Sequence, residues 1–411
     1  MNPKKIFSKD GAYVPPVYIA DKKPAKLPQN DRGERAPARK TVFRVIRRTL
    51  LILFTVVILA VYAVFALCHT IANGPSPTVR NLLVLSALQA SATKWVPGLF
   101  LDDATVDQIL ADSRVISTDV LSLEEYAAAQ QQGGTASGNE SAVDEWENAK
   151  DGMLFHTISG STYKAYVLLV KDPSRVYVGT SSDYKSGKTG ARIFDMAARD
   201  DAVAAINAGE FNDPGGVGTG DNPVGLTYSL GSCVWQDGYT WKTFIGFDKD
   251  DRLVVSEGMT REKADALGVR DAVSFQTGNV LIDRDGDSVR LHYADSNTGT
   301  AQRTAIGQRA DGTVILLVTD GRSASSLGAT HNDVIDIMVS YGAVTAAMLD
   351  GGSSSMMYYE DYYTKYGIDE SKLDQYQKMG LVNKYKAFTT PRRMPTYIMV
   401  ARDGAETETA E

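Results

Sequence analysis

From Thr49 to Cys68 the chain reads TLLILFTVVILAVYAVFALC, with no charged residue. An apolar stretch of about 20 residues matches the hydrocarbon thickness of a bilayer when helical. The run is too long, and starts too far from residue 1, to read as a cleaved signal peptide, and no small-residue cleavage site stands out. Arg44, Arg47 and Arg48 precede it directly, whereas His69 to Thr78 contains no Lys or Arg. The positive-inside asymmetry predicts a single-pass signal anchor, with the N-terminus in the cytoplasm and everything after residue 70 outside.

Charge is divided along the same line. Residues 1–48 hold thirteen Lys and Arg against four Asp and Glu, about +9. The formal net charge of the whole chain is -7, which leaves about -16 for the remainder. That balance argues against nucleic acid as a partner of the main domain. The tail Met1 to Lys40, rich in Pro, Lys and Arg, reads as disordered. Cys68 and Cys233 are the only cysteines, on different layers by this reading, so no disulfide between them is expected.

The expected organisation is a basic cytoplasmic tail (1–48), a membrane anchor (49–70), an extracytoplasmic helical stalk and linker (71–150), a catalytic domain (151–403) and a C-terminal tail (404–411). Asp103 to Asp112 reads as a short helix and Gln131 to Val143 as a linker. In the main domain, strand-like runs recur at Ala165 to Val170, Arg175 to Val178, Ala202 to Asn207, Trp241 to Phe247, Arg252 to Ser256, Val280 to Ile282, Thr313 to Val318, Val344 to Leu349 and Tyr397 to Ala401. The clearest helix is Asn332 to Tyr341, with Thr330 and Asp333 as a capping box and Gly342 as its stop. With its two flanking strands it makes a βαβ unit whose strands run parallel. Many strands and few helices point to an α/β or α+β fold with a mixed β-sheet and flanking helices. Glu360 to Lys386, polar and rich in Tyr and Lys, reads as an insertion.

Three strand ends carry chemistry. The first is Asn207-Ala208-Gly209-Glu210-Phe211, followed by a glycine-rich loop from Asp213 to Gly220. The second is Asp320-Gly321-Arg322, and the third is Leu349-Asp350-Gly351-Gly352-Ser353-Ser354. Each sets an acid or amide, glycine and a polar group at the carboxyl end of a strand, the edge where open α/β sheets bind ligands. Asp-Gly alone is also a common turn pair, so each cluster has a purely structural reading. Together they suggest a site for a phosphorylated or polyhydroxylated ligand. Arg322 offers a planar fork of donors to phosphate, and N–H groups around Gly351, Gly352 and Ser353 could nest an anion. Glu210, Asp320 and Asp350 are the carboxylates that acetal cleavage needs. The four histidines lack metal-ligand spacing. Asp283, Asp285 and Asp287 read better as a polar hairpin turn than as a calcium loop.

These clusters, in this order, resemble the phosphodiester glycosidase family. Its members typically show Asn-Gly-Gly-Phe-Phe, then Arg-Thr-Ala-Ile-Gly before Asp-Gly-Arg, then Leu-Asp-Gly-Gly-Gly-Ser-Ser. The present chain has Asn207-Ala208-Gly209-Glu210-Phe211, Arg303-Thr304-Ala305-Ile306-Gly307, Asp320-Gly321-Arg322 and Leu349-Asp350-Gly351-Gly352-Ser353-Ser354. Ala208, Glu210, Ser353 and Gln276-Thr277-Gly278 depart from the pattern and bear on the sugar pocket.

The resemblance implies a hydrolase that cleaves a sugar–phosphate phosphodiester at the anomeric carbon, in cell-wall polymer or exopolysaccharide metabolism. Asp320 and Asp350 are the favoured acid and base or stabiliser, with Glu210 third. Arg322 and Arg303 would bind the phosphate with help from the N–H groups around Gly351, Gly352 and Ser353, Asn207 would orient the sugar, and Gly209 and Ser354 complete the substrate-binding set. No cofactor is expected, although a carboxylate pair beside phosphate could hold a divalent cation. Two other readings stay open: a non-catalytic wall-polymer binding or assembly protein, and a glycosyl-phosphate transferase.

Overall fold

The computed structural model describes residues 35–88, 93–112, 119–133, 145–181, 184, 190–213, 218–294, 299–321, 323, 326–383 and 390–404. It divides into two units, Met1–Ala66 and Leu67–Glu411. The first is described only through the N-terminal helix Arg35–Ala72. Within that helix, Val42–Ala72 is the one stretch among the described residues long and apolar enough to cross a membrane.

The second unit combines helices with three sheets. The largest has eight strands, in the order Asp119–Ser122, Ser288–Leu291, Val280–Asp285, Ala343–Met348, Thr304–Arg309, Val314–Thr319, Lys164–Val170 and Met153–Ser159. A five-stranded sheet runs Ser232–Gln236, Leu226–Ser229, Asp271–Phe275, Thr243–Phe247 and Leu253–Glu257. A four-stranded sheet runs Met357–Tyr359, Ala202–Asn207, Thr396–Ala401 and Val176–Thr180. One core joins all three, with Leu168 and Leu316 from the first, Ile245 and Val273 from the second, and Ile206 and Ile398 from the third. Strand Ala202–Asn207 is buried throughout. Val203, Ala204 and Ile206 enter that shared core, while Ala202 and Ala205 enter a second one under helix Ile193–Arg199. Its alanines suit a strand covered on both faces, where there is little room for larger side chains.

The capping box at Thr330 and Asp333 is present, on helix His331–Ser340. The strands flanking that helix, Val314–Thr319 and Ala343–Met348, run parallel, with Thr304–Arg309 inserted between them and antiparallel to both. Every paired ladder among the described strands is antiparallel, so the class is α+β. The Val280–Asp285 and Ser288–Leu291 strands form the hairpin read at Asp283 to Asp287.

The segment 71–150, read as stalk and linker, joins the same packed unit. Helix Pro77–Leu88 packs on helix Asp103–Asp112 through Val84, Leu85 and Ile109. Strand Asp119–Ser122 adds itself to the eight-stranded sheet at Ser288–Leu291. A boundary at residue 151 thus cuts through a sheet; four residues without a long alternating pattern gave no strand signal. The linker residues 134–143 lie outside the described residues.

Antiparallel insertion sets up the site. Because Thr304 pairs with Val318 and Ala305 with Met348, the start of Thr304–Arg309 lies at the same sheet edge as the ends of its two neighbours. Gln302, Asp320 and Asp350 therefore leave the sheet together.

Candidate active site

Asn207 ties the strand ends to each other. Its Nδ2 donates to the Asp350 main-chain oxygen at 2.6 Å. Its Oδ1 accepts from Thr304 Oγ1 at 2.7 Å and from the Met356 N–H at 3.0 Å. The Asp350 N–H returns to the Ala208 oxygen at 3.0 Å. Asn207 is wholly buried. Its amide ties three segments of its own chain, which suits Asn207 to positioning Asp350.

Gly209 likewise serves the fold. A Cβ there would stand 2.7 Å from the Ser274 oxygen and 2.9 Å from Val273 Cβ. The absent side chain lets the backbone cross strand Asp271–Phe275, where the Glu210 N–H bonds the Ser274 oxygen at 2.8 Å.

Asp350 begins a tight turn through the short helix Gly352–Ser354, with Gly352 at φ +63. Burial pushes its carboxyl up to about 6. The Ser354 hydroxyl, the Arg392 charge and the Gly351 N–H pull it partly back, while the Glu210 charge adds to the rise. The anion nest expected around Gly351, Gly352 and Ser353 is thus turned inward. The Gly351 N–H serves Asp350 itself, and the Gly352 N–H bonds the Gln302 oxygen at 2.9 Å. Ser353 is exposed and Ser354 buried.

Glu210 lies in the same electrostatic neighbourhood. Lys242, itself buried, places its Nζ 2.6 Å from Glu210 Oε2. Arg392 supplies the second cation. Its Nη1 lies 3.4 Å from Ser354 Oγ and 3.3 Å from Asp213 Oδ2. Asp213 is held by the Gly218 N–H at 2.8 Å, and a Cβ on Gly218 would strike the Arg392 side chain at 2.7 Å. The glycine-rich loop therefore meets Arg392 at its two described ends; residues 214–217 between them lie outside the described residues.

Asp320 has other company. Its Oδ2 accepts from Tyr166 OH at 2.8 Å. Burial, and next the Asp320 charge, hold that phenol well above its usual range. Arg303 is buried, and its guanidinium donates to the Ala329 oxygen at 3.1 Å and the Gly299 oxygen at 2.7 Å. Its expected phosphate contact is replaced by a strut across the 299–303 segment. Arg322 lies outside the described residues.

The Glu210 charge thus acts on the Asp350 carboxyl, where the sequence favoured Asp350 with Asp320. The structure adds Arg392 and Lys242, which the sequence reading missed. The only trace of Arg392 in the sequence is a basic pair fenced by prolines, Pro391-Arg392-Arg393-Met394-Pro395. Two carboxyls held in different environments, beside two cations, can divide proton donation from charge stabilisation. The profile of the phosphodiester glycosidase family matches residues 200–401, which include every residue of this pair and both cations.

Residues 200–401 belong to the phosphodiester glycosidase family.

The chain is similar over 215 residues, at 29% identity, to the uncharacterized SPbeta prophage-derived protein YomE of Bacillus subtilis (strain 168). That match takes in 49% of this chain and 31% of YomE, so the chain spans about a third of that relative's length. Among solved structures, the zebrafish N-acetylglucosamine-1-phosphodiester alpha-N-acetylglucosaminidase catalytic domain, auto-inhibited by its pro-peptide, aligns at 16% identity with a TM-score of 0.44. That alignment covers 70% of this chain and 88% of that one. A hypothetical protein from Synechocystis aligns at 14% identity with a TM-score of 0.37, covering 62% of each chain.

Proposed function

We propose that the chain is a membrane-anchored glycosidase that hydrolyses a sugar 1-phosphodiester outside the cell. The family of residues 200–401 gives the reaction class. The observation that carries the reading is the Asp350 carboxyl, raised to about 6, bonded by the Ser354 hydroxyl that Arg392 also reaches, and under the charges of Arg392 and Glu210. A carboxyl titrating there can give or take a proton near neutral pH.

In this reading the bond between the anomeric carbon and the phosphate oxygen breaks. The bonding pair leaves with the phosphate, and Asp350 supplies its proton. Arg392 meets the phosphate charge, so a moderate acid suffices. The Glu210 carboxylate, held by Lys242, faces the developing oxocarbenium ion as nucleophile or stabiliser. Water completes the reaction, giving a free reducing sugar and a phosphate monoester. Asn207 fixes Asp350 by its backbone. The apolar helix Val42–Ala72, with its basic flank, would keep the domain at the outer membrane face, where wall polymers and exopolysaccharides carry such linkages.

The test is incubation of the detergent-solubilised full chain with sugar 1-(methyl phosphate) diesters. Release of reducing sugar and methyl phosphate is expected. Ligand binding without release would favour the non-catalytic reading, and release only with an added acceptor the transferase.

A further inference from the structure

Two aromatic rings stand exposed near Lys242, the partner of Glu210. Tyr239 is 49% and Trp241 55% exposed. Their centroids lie 5.5 Å apart at an interplanar angle of 69°, so the rings form an open corner. The connection that carries them is fixed. The Asp237 carboxylate accepts from the Gly225 N–H at 2.9 Å and from the Tyr239 N–H at 3.1 Å. Thr277 Oγ1 holds the Trp241 oxygen at 2.8 Å. The corner is also continuous with the site. Lys242 Nζ sits 4.5 Å from the Trp241 ring centre and 2.6 Å from Glu210 Oε2. One ammonium group thus separates an exposed aromatic face from a proposed catalytic carboxylate, a span on the scale of one sugar ring.

We propose that Tyr239 and Trp241 form a saccharide subsite that takes the apolar face of a pyranose ring adjoining the Glu210–Asp350 site. The inference rests on the glycosidase reading for what it adjoins, but it has its own ligand. A pyranose presents C–H groups on one face, and these meet the electron-rich face of an aromatic ring while the hydroxyls stay in water. Exposed aromatic pairs on a fixed loop at the rim of a polar site are the kind of surface that ligands cover. Charge favours a sugar here over an acidic group, because the nearby Lys242 is already paired with Glu210.

The test uses neutral oligosaccharides, which contain no phosphodiester and so report on the subsite apart from turnover. Chitotetraose, maltotetraose and cellotetraose are titrated calorimetrically into the full chain in detergent. At least one is expected to bind, with Trp241→Ala and Tyr239→Ala each weakening it roughly tenfold. Trp241→Phe should keep most of the affinity, and all three variants should unfold at the wild-type temperature, since both side chains are exposed. If no tetrasaccharide binds, or if Trp241→Ala binds as the wild type does, the subsite is refuted. Binding without hydrolysis of any sugar phosphodiester would refute the glycosidase reading and leave the subsite standing.

Discussion

The side-chain amide of Asn207 holds the main-chain oxygen of Asp350 at 2.6 Å, joining the end of one strand to the start of the turn that carries the raised carboxyl. The same amide accepts from Thr304 and Met356, so one buried residue sets the relative position of three segments. The Asp350 carboxyl is where it is because of a residue that need not touch substrate.

Replacing Asn207 with Ala leaves the Thr304 hydroxyl and the Met356 N–H without their acceptor in the core. Each such loss costs about 1–3 kcal/mol. Asn207→Ala is expected to lower stability by about 2–4 kcal/mol in chemical denaturation and to lower kcat as Asp350 loses its tether. Thr304→Val removes one of these bonds together with its donor and should cost less.

Asp350 links stability to pH in a definite direction. The unfolded chain releases this proton near the ordinary value of 3.8, and the folded chain near 6. Between those values the folded state binds more protons than the unfolded one. The contribution to stability therefore falls as pH rises from about 4 to about 6 and stays low above that. Asp350→Asn removes this penalty. It should stabilise the protein by about 1–2 kcal/mol at pH 7.5 and by little at pH 4, while reducing turnover by roughly 10²–10⁴-fold. The full shift would imply more, but Asp350 keeps some exposed surface, and solvent screens it. Melting curves of both proteins across this range check the sign.

Arg392 is expected to act on phosphate. Arg392→Ala should raise KM for a sugar phosphodiester by roughly tenfold or more, with Arg392→Lys between it and wild type, because a point charge replaces a planar fork. Steady-state kinetics on a charged diester and on a neutral aryl glycoside of the same sugar separate this from misfolding: only the charged substrate should suffer.

Asp320 is hydrogen-bonded to Tyr166. Asp320→Asn should therefore reduce kcat less than Asp350→Asn does, and Tyr166→Phe should cost about 1 kcal/mol of stability. Comparison of kcat for the two Asn variants decides which carboxyl partners Glu210.

Much of this site is legible in the sequence because strand ends advertise themselves. Asp320 and Asp350 each follow an apolar run and precede glycine, Asn207 does so one residue removed, and the antiparallel insertion of Thr304–Arg309 brings the Asp320 and Asp350 clusters to one edge, which Asn207 joins from the four-stranded sheet. The effect of Glu210 on Asp350 is not legible, because it depends on where side chains turn after leaving the sheet. Lys242 and Arg392 were hidden for a related reason. Lys242 is buried against Glu210 from the turn just before strand Thr243–Phe247, 32 positions away, and Arg392 arrives from a loop beyond the last helices. Neither lies in a motif. The 119–122 strand escaped notice because four residues show too little alternation to count.

In the proposed reaction cleavage falls at the anomeric carbon, with Asp350 as proton donor and Glu210 as its partner. Hydrolysis of a sugar 1-(methyl phosphate) by the full chain in ¹⁸O-labelled water reads this directly. The predicted result is label in the released sugar, none in methyl phosphate, and a rate that falls as pH rises above about 6 and drops roughly 10²–10⁴-fold in Asp350→Asn and Glu210→Gln. Label in the phosphate product, or sugar release that survives both substitutions, would contradict it.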